Sequence, residues 1–217
     1  VGEFVVADYY HEGIELDASV FFAGPYSGGS MSTALNTYIP TTDPYGTSTT
    51  VSSVPAGAVD WVKVELRDKT DNTNVQHTYA FFVDANGQLL NTDGTVDAKL
   101  TGATKDQYYL AVNHRNHLGA MTSSTVDLSA ASPAFDFTAG TGINGTNAMK
   151  DMGSGVYGLW PGDANSDGVI GYVASPSDIS PISTAVITDP GNPSGFTNYV
   201  INGVYDDADV NLDGNIG

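Results

Sequence analysis

Apolar positions over residues 14–128 recur with the period of a strand. VDWVKVELRD alternates with period two, placing Val59, Trp61, Lys63 and Glu65 on one face and Asp60, Val62, Val64 and Leu66 on the other. IELDASVFFAG alternates and then runs apolar. HTYAFFVDANG leads into an Asn86-Gly87 turn and QLLNTDG into an Asp93-Gly94 turn. QYYLAVNHRNH and TSSTVDLS continue the pattern. Short β-branched and aromatic runs parted by Asn-Gly and Asp-Gly turns predict a mainly β chain, with an immunoglobulin-like antiparallel β-sandwich over residues 16–130. No stretch of ten residues there carries a helical period.

The pattern then changes twice. Residues 131–161 are rich in Gly, Ala and Thr and read as a segment wrapped on the sandwich, anchored by Phe135, Phe137, Met149, Tyr157 and Trp160. Residues 162–217 form a loop-rich unit with one short helix expected near Pro181–Thr188, ended by Asp189-Pro190-Gly191. Before the sandwich, residues 1–15 read as an extension whose apolar run Phe4 to Ala7 could pair with its own sheet or be donated to a neighbour's edge.

Charge sharpens this division. The chain has 217 residues, 25 acidic and only 7 basic, for a net charge of −18. All seven bases fall between Lys63 and Lys150, so residues 1–62 carry seven acids and residues 151–217 carry nine, with no base in either. Phosphate contacts need clustered Lys and Arg, so nucleic acid and anionic membrane are poor partners, and no apolar run is long enough to span a bilayer. Cys is absent, which removes disulfides and thiolate chemistry. Val1 opens no signal-peptide pattern, so an exported protein would here be in its mature form. Purely acidic ends repel themselves unless cations neutralise them.

The acids near the C-terminus have metal-ligand spacing. GDANSDGVIG at 162–171 recurs as ADVNLDGNIG at 208–217, 46 residues on. In the first copy Asp163, Asn165 and Asp167 stand at positions 1, 3 and 5 of a D-x-N-x-D-G loop, Gly168 at the sharp turn and Val169 where a backbone carbonyl would ligate. Ile170 is expected to pin the loop to a core. The second copy repeats this with Asp209, Asn211, Asp213, Gly214, Asn215 and Ile216. Hard oxygens at alternate positions suit Ca²⁺, and zinc is disfavoured by an all-oxygen set. Position 12, the usual closing carboxylate, is Ala174; Asp178 at position 16 is the acid placed to close the first loop, and no closing acid follows in the second. The competing reading is a pair of acidic turns, since Asp, Asn and Gly favour turns anyway. Two copies with matched ligands favour calcium.

Several stretches resemble a known family. FFAGPYSGGSMSTALN, IPTTDPYG, VDWVKVELRD, YYLAVNHRNHLGAMT, then AFDFT…NAMKDMGSGVYGLWPGDANSDG and DPGNPSGFTNYVINGVYDDADVNLDG are similar to a β-sandwich module with dockerin-like calcium repeats. That module belongs to large secreted bacterial surface proteins exported by the type IX route. The resemblance spans residues 16–217 and implies an extracellular, calcium-stabilised protein without catalytic activity.

Other constellations carry less. His114-Arg115-Asn116-His117 gives H-x-x-H, but residues three apart on a strand face opposite ways, so a network pairing Arg115 with acids is expected instead of a shared metal. Carboxylate pairs such as Asp206-Asp207 or Glu12/Glu15 arise by chance among so many acids. No nucleophile elbow or phosphate loop is present, and Asn144-Gly145-Thr146 is a glycosylation sequon by pattern alone. Trp61 and Trp160 are expected in the core. The sequence thus predicts a non-enzymatic structural protein of the cell surface, a filament subunit or adhesin segment, with Ca²⁺ as its cofactor. Self-association by strand addition or calcium-bridged contacts is expected, the second loop being completed by water, by residues beyond Gly217, or by Glu3, Asp8 or Glu12 of another copy. A carbohydrate-binding accessory module is the alternative, which a row of exposed aromatics on one sheet face would favour.

Overall fold

The computed structural model describes residues 13–173 and 176–217. Of the expected extension over residues 1–15, residues 1–12 lie outside the described residues, as does Ala174, while Ile14 and Glu15 pair with Leu100 and Lys99. In chain order come β1 (Ile14–Ser19), a small hairpin of β2 (Tyr26–Ser27) and β3 (Ser30–Met31), and the two long strands β4 (Ala58–Arg67) and β5 (Val75–Asp84). Next are β6 (Leu89–Leu90), β7 (Ala98–Leu100), β8 (Gln107–Asn113), β9 (Ala120–Met121), β10 (Val126–Asp127) and β11 (Ala134–Asp136). β12 (Lys150–Asp151), β13 (Tyr157–Gly158), α1 (Ile179–Thr188), β14 (Ile201–Asn202) and β15 (Asn215–Ile216) complete the series.

The fold is mainly β and its pairing mostly antiparallel. One sheet runs β10-β8-β4-β5-β6 with β9 added to β8; a smaller one runs β11-β1-β7, in which β1 and β11 are parallel. The β5–β6 hairpin turns at Asn86-Gly87, Gly87 taking φ 86°, as the Asn-Gly signal requires. A single apolar cluster joins Leu16 and Ala18 of β1 and Leu100 of β7 to Val64, Phe82 and Leu110 of the larger sheet. Trp61 stacks on its cross-strand partner Phe82 with ring centroids 3.7 Å apart, and its Nε1–H donates to Pro40 O at 2.9 Å.

The alternation read into β4 is only partly kept. Val59, Asp60, Trp61 and Val62 are all buried, because both faces of this end of the strand are covered. Register shifts between Ala58 and Asp60 on the β5 side. Asp60 is thus set in the interior on the face opposite Trp61, and the polar hub described below is built around it.

The segment over residues 131–161 lies along β1 and the chain that follows it. β11 pairs with Asp17–Ser19, Leu159 N donates to Phe21 O at 2.8 Å, and Leu118 N donates to Trp160 O at 2.8 Å. Phe137 and Met149 are buried; Trp160 is half-buried and donates Nε1–H to Asn147 O at 2.9 Å. This path delivers the chain to Gly162 beside the turn that ends β8.

Residues 162–217 have a small apolar centre of their own: Val186, Ala208 and Ile216, flanked by Ile182, Ala185, Tyr199, Ile201 and Val204. α1 begins at Ile179, two residues before the expected Pro181. Pro181 sits in the first helical turn, where the backbone N–H it lacks would have no intrahelical partner. β14 and β15 pair antiparallel through Ile201 with Ile216 and Asn202 with Asn215. No helix among the described residues is long and apolar enough to cross a membrane.

Candidate functional site

β8 ends at Asn113, so His114 to His117 form a turn rather than a strand. The expectation that the two imidazoles face opposite ways is therefore corrected. Their Nδ1 atoms lie 3.1 Å apart and their rings meet edge-on at 4.9 Å. One set of tautomers satisfies the cluster. His114 Nε2–H donates to Asp60 Oδ2 at 3.1 Å, leaving Nδ1 to accept from Asn116 N. His117 Nδ1–H donates to Asn116 Oδ1 at 2.8 Å, leaving Nε2 to accept from Gly24 N at 3.2 Å. Every ring nitrogen is used within the protein, so this H-x-x-H is built as scaffold. Burial pushes both imidazoles down, His117 well below its ordinary value, so both are neutral.

Asp60 is the centre of this hub and is wholly buried. It accepts from Trp61 N at 2.7 Å, Arg115 Nε at 2.9 Å and Tyr205 Oη at 2.8 Å as well as from His114. Burial alone would raise its pKa, but the Arg115 charge and the hydrogen bonds from His114 and Tyr205 prevail and hold it below the ordinary value. The Arg115 guanidinium lies 4.2 Å from the centre of the Tyr205 ring, and its Nη1 donates to Asp206 O and to Asp207 Oδ1 at 3.4 Å. The expected pairing of Arg115 with acids is thus present, and it ties residues 205–207 to the sheet.

Both acidic loops dock on the same turn. Gly162 N and Asp163 N donate to Asn116 O at 3.0 and 3.1 Å, and Ser166 Oγ donates to Arg115 O at 2.5 Å. From the other side, Asn116 Nδ2 donates to Asp207 O at 3.0 Å and Asp209 O at 2.8 Å. Gly24 allows the second loop to approach: a Cβ there would lie 2.2 Å from Val210 O.

The two loops share one internal geometry. Asp163 accepts from Asp167 N and Gly168 N, both at 3.0 Å; Asp209 accepts from Asp213 N at 3.1 Å and Gly214 N at 2.8 Å. Asn165 Nδ2 donates to Asp167 Oδ2 at 3.1 Å and Asn211 Nδ2 to Asp213 Oδ2 at 3.0 Å. Val169 N and Asn215 N each donate to the position-5 carboxylate at 2.9 Å. The backbone matches too: Ser166 and Leu212 take φ 57° and 56°, Gly168 and Gly214 81° and 80°. Asp178 precedes α1 and turns its carboxylate back onto the first loop, accepting from Asn165 N at 3.3 Å and Gly171 N at 2.6 Å. That is where the sequence expects a closing acid.

Ile170 and Ile216 depart from this symmetry. Ile216 is buried, but Ile170 is 43% exposed, so the expectation that it pins the first loop is corrected. Docking on Asn116 and Arg115 fixes that loop instead. Asp206 Oδ1 accepts from Ala208 N at 2.9 Å and Asp207 pairs with Arg115 at 3.4 Å; Glu12 is outside the described residues.

Burial, with Asp178 and Asp167 close by, raises the Asp163 carboxyl, and burial raises Asp209, despite the amides that each accepts. Among the described residues no three His, Cys, Asp or Glu side chains converge to hold a metal by themselves. The loop donors include Asn side chains and backbone carbonyls as well, and buried carboxylates held above their ordinary pKa favour whatever supplies positive charge. That donor chemistry fits a hard divalent cation.

Sequence reasoning had singled out all the loop residues but not Asp60, Tyr205 or Gly24. An aspartate inside an otherwise apolar strand was the available signal for the first. No family model, curated protein or solved structure matches the chain.

Proposed function

We propose that this is a non-enzymatic, secreted structural protein of the cell surface, a filament subunit or adhesin segment whose C-terminal part is rigidified by Ca²⁺. Its two main sheets would form the β-sandwich and residues 162–217 the dockerin-like unit of the family it resembles. The carrying observation is the repetition of one hydrogen-bonded loop geometry at Asp163–Val169 and Asp209–Asn215. Asp163, Asn165, Asp167, the Val169 carbonyl and Asp178 would hold one ion, and Asp209, Asn211, Asp213 and the Asn215 carbonyl another. Metal–oxygen distances of about 2.3–2.6 Å are expected.

Self-association is supported by the same unit. Of eleven large apolar side chains standing exposed among the described residues, eight lie between Val169 and Val200, including Tyr172, Val173 and Phe196. Asn211, Asp213 and Asn215 border an open groove of about 490 Å³ that Ile182, Val200 and Ile216 also line. An acid from a neighbouring copy entering there would complete the second loop, and such a head-to-tail contact propagates into a filament. Sedimentation and electron microscopy in calcium test this. The parent should form polymers that a chelator disperses and that deletion of residues 1–12 prevents. Monomers in saturating calcium would refute the filament reading.

A carbohydrate-binding module is the second reading. His77, Tyr79 and Phe81 follow at alternate positions on one face of β5, and they line a cleft of about 510 Å³ with Thr47, Asn91 and Lys99. Phe81 is buried, so the row sinks into the interior instead of forming a flat platform. Binding to a polysaccharide panel, abolished by Tyr79→Ala, would favour it over the structural role.

A further inference from the structure

We propose that Asn116 couples the two acidic loops, so that an ion bound in one raises the affinity of the other. This rests on the calcium reading above and adds to it a named residue and a cooperative response. Asn116 is fully buried and binds both loops at their first ligand position with opposite ends of itself. Its backbone carbonyl accepts the amides of Gly162 and Asp163, at 3.0 and 3.1 Å. Its side-chain amide donates to the carbonyls of Asp207 and Asp209, at 3.0 and 2.8 Å. The Asn116 side-chain oxygen is in turn fixed by His117 at 2.8 Å, and His117 accepts from Gly24. The loops are 46 residues apart in sequence, yet a single residue separates their first ligands.

An ion orders the loop that binds it. Ordering either loop fixes the backbone or the amide plane of Asn116, and so removes part of the conformational freedom that the second loop must give up on binding. Such coupling is reciprocal: each ion strengthens the other by the same factor. Arg115 runs in parallel, its carbonyl accepting from Ser166 of the first loop and its guanidinium donating to Asp206 and Asp207 ahead of the second. Asn116 is a positioning residue and needs no contact with either ion.

The test is a calcium titration of the full chain followed by the amide resonances of Gly168 and Gly214, one in each loop. Asp213→Asn weakens the second loop by removing a ligand charge and one of the two acceptors that Asn211 Nδ2 and Asn215 N use. The expected result is that this variant also shifts the Gly168 midpoint to higher calcium, by at least about fivefold within the usual range of coupling. In an Asn116→Ala background the same Asp213→Asn change should move the Gly168 midpoint much less, Arg115 alone carrying what remains, and an undiminished shift there overturns Asn116 as the coupling residue. A Gly168 midpoint that ignores Asp213→Asn in the otherwise native chain overturns the coupling while leaving the calcium reading intact. If neither amide responds to millimolar calcium, the calcium reading falls and the coupling falls with it. Should Asn116→Ala not fold, hydrogen exchange at Gly162 and Asp163 decides. In subsaturating calcium these amides should exchange more slowly in the parent than in Asp213→Asn, and equal rates overturn the proposal.

Discussion

The sheets and the C-terminal unit reach a folded state by different physical routes. The sheets bury Trp61, Phe22, Phe82, Leu66 and Leu110 at 0% exposure, and each such side chain contributes about 1.5–3 kcal/mol relative to leaving it in water. Residues 162–217 lend Leu212 to the core of the sheets and otherwise have a small buried apolar centre of Val186, Ala208 and Ile216, one of which is an alanine. Beside these they bury carboxylates: Asp163, Asp178 and Asp209 are at most 5% exposed, in a stretch without a single lysine or arginine. Backbone amides satisfy part of that charge and Arg115, reaching over from the sheet side, another part. Burial of apolar side chains does not depend on which cations the solution contains. A fold organised around buried acid is expected to respond to them.

Asp60→Ala should have the largest effect, because Asp60 is the point where both regions are joined. Removing one partner of a buried ion pair costs about 3–5 kcal/mol, since Arg115 would keep only its longer pair with Asp207, at 3.4 Å. The urea midpoint should fall by that amount, and hydrogen-exchange protection should drop in β4 and in residues 201–216 alike. Protection lost from one region only would break the idea of a shared hub. Chelation comes next and should separate the regions. A ligand at a hundredfold excess over its dissociation constant stabilises the folded state by about 2.7 kcal/mol per site. Calcium removal should therefore strip protection from residues 162–217 while β4, β5 and β8 keep theirs. An unchanged melting temperature with metal removal verified would eliminate stabilising calcium.

A smaller effect tests the seam itself. Gly24→Ala would place a methyl 2.2 Å from Val210 O and 3.0 Å from His117 Nε2, neither of which is a flexible end. Overpacking of this kind costs about 1–3 kcal/mol. The second loop should be displaced, and the Gly214 amide resonance should move much more than that of Gly168. Equal shifts would show that Gly24 does not serve the second loop selectively.

The sequence revealed local signals and concealed the long-range ones. Period-two alternation and Asn-Gly turns located β4, β5 and the β5–β6 hairpin because those signals act over a few residues. The Asp-x-Asn-x-Asp-Gly spacing located both loops, and the gap at position 12 pointed to Asp178, for the same reason. The hub was illegible because it joins Gly24, Asp60, residues 114–117 and Tyr205, and periodicity says nothing about contacts across such separations. The H-x-x-H pair was misread by extending β8 four residues too far, through a turn that pattern alone continues as strand. Ile170 was misread by symmetry: the second copy has β14 to pack beside Ile216, whereas the first loop is fastened by hydrogen bonds to the 114–117 turn.

The two regions should also differ in the sign of their response to acid, a smaller effect than the others. His114 and His117 are held neutral, their folded pKa values pushed down by burial. Asp60, Arg115 and Asp207 face His114; His114, Arg115 and Lys150 act on His117. The unfolded chain takes up protons near pH 6.5 that the folded hub refuses, so the sheet region loses stability as pH falls below about 6.5. Asp60, also depressed, adds a further loss as pH falls through its folded value, below the ordinary range near 4. In the chelated protein Asp163 and Asp209 behave oppositely. Their folded pKa values are raised, so their contribution is full below about 3.9 and is lost as pH rises through the folded values. Lowering the pH of chelated protein from 7 towards about 4 should therefore raise protection factors in residues 162–217 while lowering them in β4 and β8, after correction for intrinsic exchange. With calcium bound the first of these trends should reverse, since the ion holds the carboxylates ionised. Protection that falls in both regions of the chelated protein would show that the C-terminal carboxylates are not strained by their own charge.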